Sequence, residues 1–219
     1  MTASTSQTAF DPMAIDADGW AVSGVVKCPS THFDGRELAS DQSIDTVVIH
    51  NISLPPLTFG SGTVQDFFCD KLDFDAHPDL ACLRGVRVSS HFLIARDGTV
   101  TQFVSCNDRA WHAGVSRFNG KVRCNDFTIG IELEGTDFVP FEERQYVSLE
   151  KLLKALAEAY PIAFVVGHSD IAPERKTDPG PYFDWVRLVR DKDNFGAPKF
   201  VGAAAQKQLS VLSPWRDLA

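Results

Sequence analysis

Hydrophobic and polar positions follow two rhythms along this chain. Thr46-Val47-Val48-Ile49-His50 is a short, apolar, β-branched run that predicts a buried strand ending at a histidine. Residues 88–95 and 99–104 flank Arg96-Asp97-Gly98, whose Asp-Gly pair predicts a hairpin. Residues 128–134 alternate, with Ile129, Ile131 and Leu133 on one face and Gly130, Glu132 and Glu134 on the other. A further apolar run covers 163–167. The helical rhythm is clearest over 142–160. There Tyr146, Leu149, Leu152, Leu153, Leu156 and Tyr160 recur at three- and four-residue spacing until Pro161 stops the helix. Shorter helices are predicted at 63–69, with Thr63 as N-cap and Asp66 three residues on, and at 184–190.

Strands and helices interleave without a regular βαβ beat. The expected class is therefore α/β: a single domain with a mixed central β-sheet flanked by helices. The domain is placed at 19–190. Residues 1–18, rich in Ala, Ser, Thr and Asp, read as a flexible N-terminal extension, and 191–219 as a C-terminal tail packed on or trailing the domain.

Composition narrows the setting. The chain has 219 residues, 44% hydrophobic and 23% charged, which suits one globular domain with a sizeable core. No apolar run approaches the ~20 residues of a membrane helix. Twenty-one basic and 29 acidic residues leave a net charge of −8, against a nucleic-acid partner. No obligate protein partner is evident. Five cysteines form no CxxC pair, and their odd number favours a reducing compartment. Residues 1–19 contain no Lys or Arg and no apolar stretch, so no signal peptide is legible and a cytoplasmic location is expected.

Candidate chemistry sits at strand ends, where α/β sheets place ligands. His50 ends one predicted strand and His168 another, and Asp178 lies ten residues further on. Two imidazoles and a carboxylate leave a tetrahedral zinc ion one position for water, as in catalytic sites. Spacing alone leaves Asp170 and Glu174 open as the oxygen ligand. It also leaves Glu132 and Glu134 unseparated, since both share one strand face.

The text around these positions is more specific. It comprises Val48-Ile49-His50-Asn51-Ile52-Ser53-Leu54-Pro55-Pro56, then Arg87-Val88-Ser89-Ser90-His91-Phe92-Leu93-Ile94, then Arg109-Ala110-Trp111-His112-Ala113-Gly114. Residues 123–135, RCNDFTIGIELEG, and 167–181, GHSDIAPERKTDPGP, complete it. In this order the segments resemble the zinc-dependent N-acetylmuramoyl-L-alanine amidases of the peptidoglycan-recognition and phage-amidase superfamily. The nearest likeness is to the branch that acts on 1,6-anhydro muropeptides in cell-wall recycling.

That resemblance implies one zinc per chain, held by His50, His168 and Asp178, with Glu132 as acid/base and Lys176 as transition-state stabiliser. It also implies an anhydromuropeptide substrate and, indirectly, control of β-lactamase induction. Zinc and Lys176 would keep a neighbouring Glu132 anionic. The extension before Gly19-Trp20 and Ser169 depart from the family pattern without touching this chemistry.

An acidic muropeptide needs local cations on a chain of net −8, and Arg87 and Arg123 are the candidates, ahead of Arg117 and Arg109. Trp111 offers its face to the sugar, and Asn51 either donates to substrate or fixes its loop. His91 reads as structural and His112 as cleft lining; His32 and His77 receive no role. Residues 58–78 are the segment expected to rearrange if the site is gated. Two alternatives stand beside this reading: a general amidase of intact peptidoglycan, and a non-catalytic peptidoglycan-binding module. A zinc peptidase lacks the HExxH helix it would need.

Overall fold

A computed structural model describes residues 13–196 and 198–212. In chain order the first elements are β1 (Val26–Lys27), β2 (Phe33–Gly35), β3 (Thr46–Ile52) and α1 (Thr63–Phe68). There follow β4 (Phe92–Ile94), β5 (Val100–Gln102), β6 (Asp108–Ala110), β7 (Arg117–Phe118), β8 (Lys121–Val122) and β9 (Thr128–Glu134). The chain continues through α2 (Glu143–Ala159), β10 (Phe164–Gly167), α3 (His168–Ile171), α4 (Trp185–Arg190), β11 (Lys199–Phe200) and α5 (Ala203–Leu212).

Seven strands form the main sheet in the order β1-β5-β4-β9-β3-β10-β11. Only β4 and β5, the predicted hairpin, pair antiparallel within it. The other neighbours run parallel. This is a mixed sheet with helices packed on it, as the patterning predicts.

The period-2 alternation of the central strands sorts side chains between two faces. Val47, Ile49, Ile129, Ile131, Leu133 and Val165 pack with Leu149, Leu152, Leu153 and Leu156 of α2 in the main core. Burying each such leucine contributes roughly 1.5–3 kcal/mol. Gln145 fixes the helix start, its amide donating to the carbonyls of Ile94 and Glu134 at 3.1 and 3.0 Å. On the opposite face Val48 and Val166 pack with Ala113, Cys124, Phe127 and Ile171. His50 and Glu132 fall on this second face.

Several expectations change on contact with tertiary structure. All seven residues of β9 are buried, so its polar face is an interior floor and not a solvated surface. The hairpin strands are shorter than predicted. Helix α1 takes Gly62, in the left-handed conformation, as N-cap, and Thr63 is its first helical residue. Helix α4 begins one residue late because the Asp184 carboxylate accepts from the Arg187 amide at 3.0 Å and serves as the cap. Residues 13–18, expected to be flexible, are tied down. Met13 and Ile15 pack on the core, and the Asp16 carboxylate accepts from the Trp20 amide at 2.8 Å. Beyond residue 190, β11 extends the sheet beside β10 and α5 packs on α4.

Candidate metal centre and cleft

Strand register brings the chemistry together. In the β3–β9 ladder His50 stands opposite Glu132, and in the β3–β10 ladder Ile49 stands opposite Gly167, so His168 follows directly beside His50. His50, His168 and Glu132 are all buried. Asp178 returns from the loop after α3, where its carbonyl accepts from the Ser169 amide at 2.9 Å.

Three atoms converge at the centre. His50 Nδ1 lies 2.9 Å from His168 Nδ1, and each lies 3.1 Å from Asp178 Oδ2. His168 Nε2 faces the Ala113 carbonyl at 3.2 Å and so carries the ring hydrogen, leaving its Nδ1 a lone pair. Ligands about 2.0–2.1 Å from a tetrahedral ion would stand roughly 3.3 Å apart, close to the spacing seen. Among the described residues this is the group of His, Cys, Asp and Glu that could hold a metal ion. Glu132 Oε1 lies 3.9 Å from His50 Nδ1, and Glu132 Oε2 is buried with no hydrogen-bond partner. An orphaned carboxylate oxygen beside converging lone pairs fits a site built around a cation and a water.

The electrostatics agree. Burial holds the His50 imidazole down at about 4, so it is neutral at physiological pH. Burial pushes the Asp178 carboxyl up, but its close contacts with the His168 and His50 rings outweigh this and hold the group well below the usual carboxylate range. Burial, and then the Asp178 charge, raise the Glu132 carboxyl well above its ordinary value; Lys176 opposes this without cancelling it. Lys176 alone therefore does not keep Glu132 anionic, and that expectation needs a bound cation.

The remaining sequence candidates separate. Asp170 accepts from the amides of Gly167 and Ala203, each at 2.8 Å, and stands outside the cluster. Glu174 is exposed on another groove. Glu134 is clamped by the Gly60 amide at 2.6 Å and the Arg96 amide at 3.1 Å, so the two glutamates that periodicity could not distinguish have different environments. A cleft of about 220 Å³ is lined by His50, Asn51, Trp111, Glu132, Lys176 and Asp178 among others. Asn51 spends both amide hydrogens inside the protein, on Asp137 Oδ1 at 2.8 Å and the Pro179 carbonyl at 3.1 Å, which is the loop-fixing role.

Trp111 is held in place by its indole N–H, which donates to Asp34 at 3.0 Å, and by its ring, stacked 6.3 Å from His32. His32, to which sequence gave no role, is thus part of that mount. The exposed Arg87 guanidinium lies 5.8 Å from the ring of Trp111, which lines the cleft. Arg123 does not join them. It pairs with Glu37 at 2.6 Å and Asp126 at 3.1 Å and lines a separate groove with Val115 and Pro173. Arg109 is spent on Asp34 and Asp126. His91 is structural, accepting at Nδ1 from the Gly130 amide at 3.0 Å.

A mixed sheet whose strand ends gather two imidazoles, a carboxylate and an unpartnered glutamate has the makings of a metal-assisted hydrolase. The sequence profile of N-acetylmuramoyl-L-alanine amidase matches residues 40–181, and the chain belongs to that family of amide hydrolases. Its relatives include the 1,6-anhydro-N-acetylmuramyl-L-alanine amidase AmpD of Haemophilus influenzae, 54% identical over 163 residues, covering 73% of this chain and 88% of that one. A crystal structure of a selenomethionine AmpD derivative superposes with a TM-score of 0.76 at 48% identity, over 81% of this chain and 98% of that chain. The amidase AmiD of Escherichia coli, in complex with anhydro-N-acetylmuramic acid-L-Ala-D-γ-Glu-L-Lys, superposes at 0.54 with 29% identity, over 94% and 72% of the two chains.

Proposed function

We propose that this chain is a cytoplasmic enzyme of cell-wall recycling that uses one zinc ion to cut the amide between 1,6-anhydro-N-acetylmuramic acid and L-alanine. His50, His168 and Asp178 would hold the ion. Bound there, zinc would polarise the scissile carbonyl and acidify a water at neutral pH. The observation that carries the reading is Glu132 Oε2, buried, unpartnered and beside the ligand cluster.

The chain's own groups supply the rest. Glu132 takes the proton of the attacking water and returns it to the departing alanine nitrogen, which must leave as a neutral amine. Lys176, half-buried on the wall of the same cleft, offers its ammonium to the oxygen that gains charge as the carbonyl is attacked. Trp111 presents an apolar face for the sugar, and Arg87 above it supplies a fork for a peptide carboxylate. Asn51 fixes the 137 and 179 loops that frame the opening. No helix among the described residues is long and apolar enough to cross a membrane.

The test is mass spectrometry of the protein incubated with anhydro-muramyl-tripeptide and, in parallel, with ordinary muramyl-tripeptide, each with and without chelator. Free tripeptide chiefly from the anhydro substrate, abolished by chelator and restored by zinc, is the expected result. Equal cleavage of both substrates would redirect the reading to a general wall amidase. Glu132→Gln should keep zinc while losing at least about 100-fold in kcat; activity within threefold of wild type removes its assignment.

A further inference from the structure

The hydrogen bonds behind the ligand cluster favour one nitrogen of His50 as the bare one. Thr128 Oγ1 lies 2.8 Å from the Cys124 carbonyl and 3.1 Å from His112 Nε2. The Cys124 carbonyl can only accept and is the nearer partner, so in this arrangement it takes the single hydroxyl hydrogen of Thr128. His112 Nε2 must then donate to the hydroxyl oxygen, which leaves His112 Nδ1 without a hydrogen. That bare Nδ1 lies 2.9 Å from His50 Nε2, which therefore donates to it. His50 ends with its hydrogen pointing away from the cluster and its Nδ1 lone pair pointing into it.

The reverse polarity is available and would be harmful. If the Thr128 hydroxyl turned to His112, the Cys124 carbonyl would keep only the Phe127 amide at 3.2 Å. Each hydrogen would shift one place along, and His50 would carry its own on Nδ1, where an ion must sit. The His112 ring is also held in place from below. A Cβ on Gly130 would stand 2.5 Å from His112 Cγ, so only glycine leaves room for the ring. Thr128 and Gly130 alternate with Glu132 on one face of β9.

We infer that Thr128 and His112 are positioning residues that set the His50 tautomer for metal capture through the chain Cys124 carbonyl, Thr128 hydroxyl, His112 and His50, with Gly130 seating the His112 ring. The inference rests on the reading of His50, His168 and Asp178 as zinc ligands. Residues behind a ligand typically change metal affinity by about 10–100-fold when removed.

Three forms of the full chain separate the possibilities: wild type, Thr128→Ser, which keeps the hydroxyl, and Thr128→Val, which keeps the shape and loses it. Zinc affinity is read by competition with a chromophoric chelator. The His50 tautomer is read from ¹⁵N chemical shifts and long-range ¹H–¹⁵N couplings of the zinc-free protein. Expected are tight zinc binding and a hydrogen on His50 Nε2 in wild type and Thr128→Ser. Thr128→Val should bind zinc about 10–100-fold more weakly and show mixed tautomers. Gly130→Ala, which displaces the His112 ring with Thr128 intact, should weaken zinc likewise and serves if the valine variant does not fold. Zinc affinity within threefold of wild type in either folded variant overturns the inference. So does a hydrogen on His50 Nδ1 in the zinc-free wild type. Wild type that binds no zinc at all fails the metal reading itself, a result distinguishable from the other two.

Discussion

Asp178 is the one carboxylate in the proposed ligand set, and its Oδ2 faces both imidazole nitrogens. Asp178→Asn keeps the volume and removes the charge that a dication needs. Zinc retention after exhaustive dialysis should fall by roughly tenfold or more. Full occupancy in the variant would point to a different oxygen ligand. Sequence text singled out Asp178 through the family likeness, while ten-residue spacing from His168 left Asp170 equally eligible. What separates the two in space is hydrogen bonding: Asp170 is committed to two backbone amides, one of them 33 residues away. The same kind of remote partner misdirected the reading of Arg123. Its pairing with Glu37, 86 residues earlier, has no local signature.

At the scale of elements, β9 and α2 were legible from clean periodicities, and β3 and β10 from short apolar runs that suit buried strands. Short elements were less so. The left-handed cap at Gly62 and the strand lengths of the hairpin are set by neighbours that a local window does not contain. Glu132 and Glu134 illustrate the limit: two residues apart on one strand, they share a face by necessity. They differ only because loops from residues 60 and 96 bring amides to Glu134 and nothing to Glu132 Oε2. His112 was noted as lining, and its link to His50 had no signal beyond the small residues Thr128 and Gly130 preceding Glu132. One element junction is directly testable. Asp170 clasps the end of β10 to the start of α5, so Asp170→Ala should lower unfolding stability by about 1–3 kcal/mol in a denaturant titration. An unchanged midpoint would show that the C-terminal helix is held by its apolar contacts alone.

For the molecule as a whole, stability should depend on pH through its interior histidines. Burial, and then the Arg36 charge, hold His91 well below its ordinary value of 6.5. A folded-state value below the unfolded one means that the unfolded chain takes up the proton first as pH falls. The stabilisation is complete above about 6.5 and is lost progressively below it. Thermal unfolding between about pH 8 and pH 5 should show Tm falling mainly in the lower half of that range; a flat profile would contradict the buried, neutral assignment.

The ladder that sets His50 beside Glu132 and His168 also has a consequence for how the protein matures. Strands 46–52, 128–134 and 164–167 are remote in sequence and become neighbours only in the finished sheet. The proposed ligands lie at 50, 168 and 178, so no shorter nascent chain contains a complete binding set. Zinc would therefore be acquired late in biosynthesis, by a polypeptide whose central sheet is already assembled. Once captured, the ion would resist unfolding by joining segments that the backbone connects only through long crossovers.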